Sequence, residues 1–172
     1  MDKHQELVEL AKSLVGIEEE GGDNKGEWVE RFQREIDGKA VGEPWCAGFV
    51  QFCINEIDRR FDAQVNMSQK DTHNKIYRSE LCYDIWHKTP VDCRLMTPIP
   101  GCIVVWNYNG TKKGHCGIVI EINDKRVVTI EGNTSDSKHI EREGDGIFLK
   151  KRDIWKTTGK MRTLGYLNPW KK

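Results

Sequence analysis

Apolar residues in this chain keep two different spacings, and the switch between them restricts the folds open to it. In the N-terminal third the steps are three and four. Leu7, Leu10, Ala11, Leu14 and Val15 form one set, Trp28, Val29, Phe32 and Ile36 a second, and Cys46, Phe49, Val50, Cys53 and Ile57 a third. Steps of that size gather apolar side chains on one face of an α-helix. They predict helices over about 3–15, closed by Gly16, over about 28–36, closed near Gly38, and over about 45–60, entered through Pro44. Past Pro100 the chain turns to short β-rich runs separated by turn residues: "CIVVWNY" (102–108), "HCGIVIEI" (115–122), "RVVTIEG" (126–132), "GIFLKKR" (146–152) and "MRTLGYL" (161–167). The stretch between holds one more helix within Thr72–Lys88 and a proline-rich loop, "TPVDCRLMTPIPG". Helices followed by a meander of strands predict an α+β fold, with the N-terminal helices packed on an antiparallel sheet of five or six strands.

A length of 172 residues favours one domain, 1–172, and 37% hydrophobic with 31% charged residues suits a soluble globular chain. No apolar run approaches the roughly 20 residues that cross a bilayer, so no stable membrane insertion is expected. The opening "MDKHQELVELAKSLVG" reads as an amphipathic helix and not as a signal peptide. The expectation is synthesis in a cytoplasm, with export left to another machine. A formal net charge of zero argues against nucleic acid as the main partner. The charge is uneven: "EEEGGD" (18–23) is acidic and "KKRDIWKTTGKMR" (150–162) is basic. These are either solvated faces or, for the second, a flank for an anionic polymer.

"EPWCAGFV" (43–50) places a cysteine just after a proline at the front of an apolar run. Core filler, half of a disulfide, metal ligand and nucleophile are all open to it. The six cysteines, Cys46, Cys53, Cys82, Cys93, Cys102 and Cys116, include no CxxC pair, and without an export signal a disulfide framework is not expected. A zinc site would want two close ligand pairs. His115 beside Cys116 comes nearest, but neighbours on a strand point to opposite faces. Most of these thiols read as small buried hydrophobes, and no metal or cofactor is expected. Cys46 differs in falling within the first turn of its helix. There the backbone N–H groups and the helix dipole favour a thiolate, and the same N–H groups can hold an oxyanion. Cys53 lies two turns deeper in the same stripe. Simple packing remains the other reading of Cys46.

A thiol nucleophile needs a base, and histidine titrates near neutrality. His4, His73, His87 and His139 lie in polar contexts and read as surface residues. His115 opens a strand directly after "NGTKKG" and precedes Gly117, whose missing side chain leaves room for a substrate. "TIEGNTSD" supplies Glu131 and Asn133 at the end of the next strand. A hairpin brings the start of one strand beside the end of the other, so Glu131 is expected next to His115; both are otherwise ordinary strand-end residues. Thiol at a helix start, imidazole at a strand start and an acid or amide at the neighbouring strand's end form the arrangement of a papain-like thiol hydrolase.

"PWCAGFV", "PIPGCIVVW", "GHCGIVIEI" and "EGNTSD", in this order, resemble the CHAP family of cysteine- and histidine-dependent amidohydrolases/peptidases. The likeness runs from about Leu7 to Tyr166 and is strongest to small lysin-type members with a segment like "LAKSLVGIEEEGGDN". The resemblance implies a papain-like fold and cleavage of an amide bond in bacterial peptidoglycan. It implies Cys46 as nucleophile and His115 as base, with Glu131 at the acidic position and Asn133 at the amide position behind it; Glu131 is favoured as the residue that orients His115. Cys102 stands where the family commonly has aspartate, and Cys116 where it has a small aliphatic residue. No alternating Asp/Asn calcium loop precedes Cys46, so no metal requirement is implied. Trp45 and Trp28 are candidates to line a substrate groove, with core packing as the alternative. The likeness implies a monomeric phage or prophage endolysin, reaching the cell wall after holin-type or secretion-system release. The alternatives are a thiol hydrolase toxin acting on protein and an inactive wall-binding module.

Overall fold

The computed structural model describes residues 2–65, 73–134 and 145–171; His139 and the last two residues of "EGNTSD" lie outside them. Helix α1 (Lys3–Ser13) starts at Asp2, whose carboxylate accepts the Gln5 N–H while the Gln5 side chain accepts the Asp2 N–H. That reciprocal cap satisfies backbone donors the helix cannot satisfy itself. Helix α2 (Glu27–Asp37) ends at Gly38, whose φ of 83° is the left-handed turn that glycine adopts without a Cβ penalty. Helix α3 (Cys46–Val65) runs through the centre of the core with Ala47, Phe49, Val50, Cys53, Ile54 and Ile57 buried. It continues past the expected end near Arg60 because "FDAQV" contains neither glycine nor proline to stop it. Helices α2 and α3 cross closely: a Cβ on Gly48 would lie 2.4 Å from the Phe32 carbonyl oxygen.

Buried Gln33 fixes the entry to α3. Its side-chain amide donates to the carbonyls of Asn24 at 3.1 Å and Glu43 at 2.7 Å, so the chain before α2 and the chain before α3 are both tied to α2. Buried Asp58 ties more distant parts together. It accepts from Lys3 Nζ (2.7 Å), the Asn74 backbone N–H (2.8 Å) and Trp170 Nε1 (2.7 Å).

The helix expected within Thr72–Lys88 forms only at its C-terminal end, as α4 (Cys82–Lys88). Upstream, backbone N–H groups bond at long range: Lys75 to the Pro169 carbonyl and Tyr77 to Thr89 Oγ1, both at 2.9 Å. Tertiary partners there replace the helical ones. The proline-rich loop also holds more than expected. After a 3₁₀ turn (Val91–Cys93), strand β1 (Arg94–Leu95) pairs with the sheet.

The other strands are β2 (Ile103–Tyr108), β3 (Gly114–Asn123), β4 (Arg126–Thr134), β5 (Gly146–Asp153) and β6 (Met161–Leu167). They form one six-stranded sheet in the order β1-β6-β2-β3-β4-β5, each adjacent pair antiparallel. Helices on one face of an antiparallel sheet make this the expected papain-like α+β fold. Both faces of the sheet are covered. Ile103, Val105, Cys116, Ile118 and Ile130 face the helices, while Val104, Trp106, Val119, Val127 and Tyr166 build a second, smaller core behind. Each fully buried aliphatic side chain contributes about 1.5–3 kcal/mol of transfer free energy. No helix among the described residues is long and apolar enough to cross a membrane.

Candidate active site

The head of α3 meets the rim of the sheet at a cleft of about 260 Å³. Cys46 and His115 both line it, with Glu43 and Pro44 ahead of α3, Cys82 at the start of α4, and Asn133 at the end of β4. Trp45 holds the helix head in place. Its indole donates to Glu19 Oε1 at 2.8 Å, and its ring stacks on Phe32 with centroids 5.7 Å apart. The first intrahelical bond of α3 runs from the Phe49 N–H to the Trp45 carbonyl at 2.9 Å. The Cys46 N–H therefore lies ahead of the hydrogen-bond ladder, in the electropositive first turn.

His115 stands on the face of the sheet behind the helices and reaches the cleft because it is the second residue of β3, at the rim. Its Nε2 lies 2.9 Å from Glu131 Oε2, and its ring stacks on Trp106, the residue opposite it on β2, with centroids 5.7 Å apart. Glu131 is fully buried, yet its oxygens are well supplied with donors. Thr129 Oγ1 donates at 2.6 Å, Arg152 Nε at 2.9 Å, and Arg152 Nη2 completes a bidentate fork. The Arg152 guanidinium also lies 5.5 Å from the Trp106 ring centroid. A buried carboxylate is tolerable only when it is paired and hydrogen-bonded in this way.

The charges follow from these contacts. Burial opposes ionisation of Glu131, but the bonds from Arg152 and His115 outweigh it and hold the carboxyl at about 2. Burial likewise disfavours a charged His115, but its interactions with Cys46 and Glu131 prevail and raise it from 6.5 to about 10. Cys46 is held well below the usual thiol range, first by hydrogen bonds from Cys116 and Cys82, against the effect of burial, and further by His115. Its sulfur lies 3.8 Å from the Cys82 sulfur. Cys116 is raised well above the usual range by its bonds to Cys46 and Cys82 and by burial. The bond with Cys116 lowers Cys82, but its bond with Cys46 and its burial together outweigh that and raise it. These directions favour a charged sulfur at Cys46 and a charged imidazole at His115, with Cys82 and Cys116 kept protonated. That is the charge state of an activated sulfur nucleophile and its acid–base partner.

Of the residues singled out in the sequence, Cys46, His115, Glu131 and Asn133 come together at this rim. Glu131 bonds the His115 ring, whereas Asn133 lines the cleft with a left-handed φ of 53°. Neither tryptophan lines the cleft. Trp45 is sealed in the core, a correction to its candidacy for the groove, and its ring works as a packing anchor. Trp28 is 37% exposed and packs edge-on to Phe52 of α3, beside Arg31. The room beside Gly117 is also filled. A Cβ there would lie 2.7 Å from Glu131 Cγ, so the glycine admits the carboxylate and not a substrate. His73 pairs with Asp62, and His87 lies on Tyr83, in polar settings as expected, while His4 contacts Asn168 and the edge of Trp170.

Sequence reasoning missed Thr129, Trp106, Arg152 and the convergence of Cys82 and Cys116 on Cys46. Thr129 and Arg152 had a signal: alternation puts Thr129 and Glu131 on one face of β4 and Arg152 on the same face of β5, and a buried acid demands a cation. The cysteines had none, since three separate elements supply them.

No curated protein matches the chain. The sequence model of the CHAP domain, by contrast, matches residues 38–133. That span opens in the loop ahead of Cys46 and closes on Asn133, so it takes in the thiolate, the imidazole and the carboxylate described above. It also takes in more than half of the chain, and the protein belongs to the CHAP domain family of cysteine- and histidine-dependent amidohydrolases/peptidases.

Proposed function

We propose that this chain hydrolyses an amide bond of bacterial peptidoglycan by acyl transfer through Cys46. One observation carries the reading. The depressed thiol of Cys46 and the raised imidazole of His115 open on one cleft, and a buried carboxylate fixes the imidazole from behind. In this mechanism the Cys46 sulfur attacks the amide carbonyl and forms a C–S bond. The negative charge moves to the carbonyl oxygen, where the Cys46 N–H at the head of α3 receives it. His115 then protonates the leaving amine, the C–N bond breaks, and a thioester remains on Cys46. Neutral His115 next takes a proton from water as the water attacks the thioester, which releases the acid and restores the thiolate–imidazolium pair. Glu131 keeps its charge throughout and acts as a positioning residue. Its bond to Nε2 turns the other ring nitrogen toward the sulfur, and Arg152 and Thr129 hold the carboxylate in turn.

The whole chain acts as one catalytic domain in this proposal, as a phage-type lysin or a delivered effector released to the cell wall from a cytoplasm. Within this chain, the domain or its basic stretch at 150–162 is the candidate for contact with the anionic wall, with a solvated face as the alternative. The test is digestion of purified sacculi, with mass spectrometry of the products to identify the bond cut. Cys46→Ala and His115→Ala are each expected to lower turnover by about 10³-fold or more while circular dichroism stays unchanged. Lysis by Cys46→Ala at the wild-type rate refutes the mechanism. Cleavage of casein with intact sacculi moves the substrate from cell wall to protein.

A further inference from the structure

Cys82 and Cys116 have no part in the acyl transfer proposed above, yet their sulfurs converge on that of Cys46. All three cysteines are buried, and their sulfurs lie within 4.8 Å of one another, with Cys46 and Cys82 at 3.8 Å. The ligands come from three rigid places: the head of α3, the start of α4 and the rim of β3. Gly114 makes the approach possible, since a Cβ there would lie 3.1 Å from Cys82 Cβ and 2.4 Å from the Trp106 carbonyl oxygen. All six cysteines of the chain are free thiols.

We propose that Cys46, Cys82 and Cys116 form a binding site for one thiophilic d¹⁰ cation of the zinc class, with its remaining coordination position open to the cleft. The spacing matches the ion. Zinc–sulfur bonds of about 2.3 Å at tetrahedral angles place sulfurs about 3.8 Å apart, and a trigonal arrangement places them about 4.0 Å apart. One sulfur pair already stands at the tetrahedral value, and the others need at most about 1 Å of movement. The donor set selects the metal: thiolate sulfur favours Zn²⁺, Cd²⁺ and Cu⁺ over Mg²⁺ and Ca²⁺, which take oxygen. An entry path exists because Cys46 and Cys82 line the cleft, while Cys116 is fully buried within reach of both sulfurs. Three protein ligands with one open position is the arrangement of an accessible site and not of a closed structural one. Binding releases thiol protons and ties up the Cys46 sulfur in a metal–sulfur bond. The ion therefore stops turnover reversibly until a chelator removes it. Only this consequence rests on Cys46 being the nucleophile; the ion site stands without it.

The test uses the full chain, reduced and free of metal, titrated with Cd²⁺ while the thiolate-to-cadmium charge-transfer absorption is followed in the near ultraviolet. Zn²⁺ is then added as a competitor. The expected result is a band that saturates at one ion per chain and is displaced by zinc. Cys82→Ala and Cys116→Ala each weaken binding roughly tenfold or more, since each removes one direct ligand. Cys116→Val serves in place of Cys116→Ala if the cavity left by alanine unfolds the chain, with circular dichroism as the check. A band that does not saturate, or one of equal affinity in the Cys82→Ala/Cys116→Val double variant, overturns the site. In the parallel arm, zinc is expected to halt digestion of sacculi by the wild type and a chelator to restore it. Cadmium binding with digestion indifferent to zinc overturns the role of Cys46 and leaves the ion site. Digestion lost in Cys46→Ala with no cadmium band overturns the ion site and leaves the role of Cys46.

Discussion

Arg152→Met tests whether the buried charge chain behind His115 is held together as its contacts suggest. Methionine keeps a side chain over Trp106 but removes the guanidinium. Glu131 then loses the Arg152 Nε and Nη2 bonds, both charge-assisted, and keeps only those with Thr129 and His115. Two routes give the magnitude. The carboxyl is lowered from 4.5 to about 2 in the folded state. At about 1.36 kcal/mol per pH unit, a lowering of that size corresponds to about 3 kcal/mol favouring the charged form, with Arg152 and His115 sharing it. Removing one partner from a buried ion pair costs about 3–5 kcal/mol. A loss of about 3 kcal/mol near neutral pH is therefore expected, or about 6–12 °C in Tm for a chain of this length.

The sign with pH follows from the same shift. A carboxyl depressed in the folded state adds stability that is fully present above its unfolded value of 4.5 and drains away as pH falls through about 2. In Arg152→Met the carboxyl titrates higher, so the deficit against wild type is largest at neutral pH and narrows as the variant takes up its proton. Urea unfolding followed by tryptophan fluorescence, near neutral pH and again near pH 4, measures both quantities if the m-value is unchanged. A deficit below about 1 kcal/mol at neutral pH, or one equal at the two pH values, refutes the reasoning.

Gly48→Ala is expected to destabilise the chain by about 1–3 kcal/mol or more, because its Cβ meets the Phe32 carbonyl at 2.4 Å; thermal unfolding reads the loss. Asp58→Ala strands Lys3, Asn74 and Trp170 without their shared acceptor and is expected to cost about 3 kcal/mol, seen as a lower urea midpoint at neutral pH. The two tryptophans part company. Trp45→Ala opens the core and costs about 3–5 kcal/mol, whereas Trp28→Ala costs about 1 kcal/mol and leaves KM for sacculi unchanged, since Trp28 lies outside the cleft.

Period carried most of the fold. The five strands expected after Pro100 fall within two residues of their positions at either end, since alternation and turn residues bound them. What escaped depends on contacts distant in sequence. The segment before α4 carries helical residues but bonds to Pro169 and Thr89, and β1 exists only because β6 lies beside it. The site divides the same way. His115 and Glu131 meet through one hairpin, so connectivity alone places them together. Arg152 needs a second strand pairing, and the meeting of Cys82 with Cys116 needs a helix docked on the sheet, which no local spacing announces.

Helix α3 carries a comparison that separates position from residue type. Cys46 and Cys53 lie seven residues apart, two turns along one helix, and both are buried against the same core. Their thiols are nevertheless driven in opposite directions. Burial pushes Cys53 well above the usual range, and the opposing charge of Arg60 does not offset it. Cys46 is nearly as buried, but it lines the cleft at the helix head, where two neighbouring thiols and an imidazole lower it. The imidazole is there because His115 sits at the rim of β3. Burial disfavours its charge, but its interactions with Cys46 and with the Glu131 carboxylate outweigh that, while Thr129 and Arg152 hold the carboxylate and Trp106 stacks on the ring. The setting of the Cys46 sulfur therefore depends on both faces of the sheet. The helix supplies the thiol, the sheet carries the charge chain through to the other face, and the two meet only at the rim. Cys53, two turns deeper, has none of these partners, and Gly117, two residues further along β3, does not line the cleft.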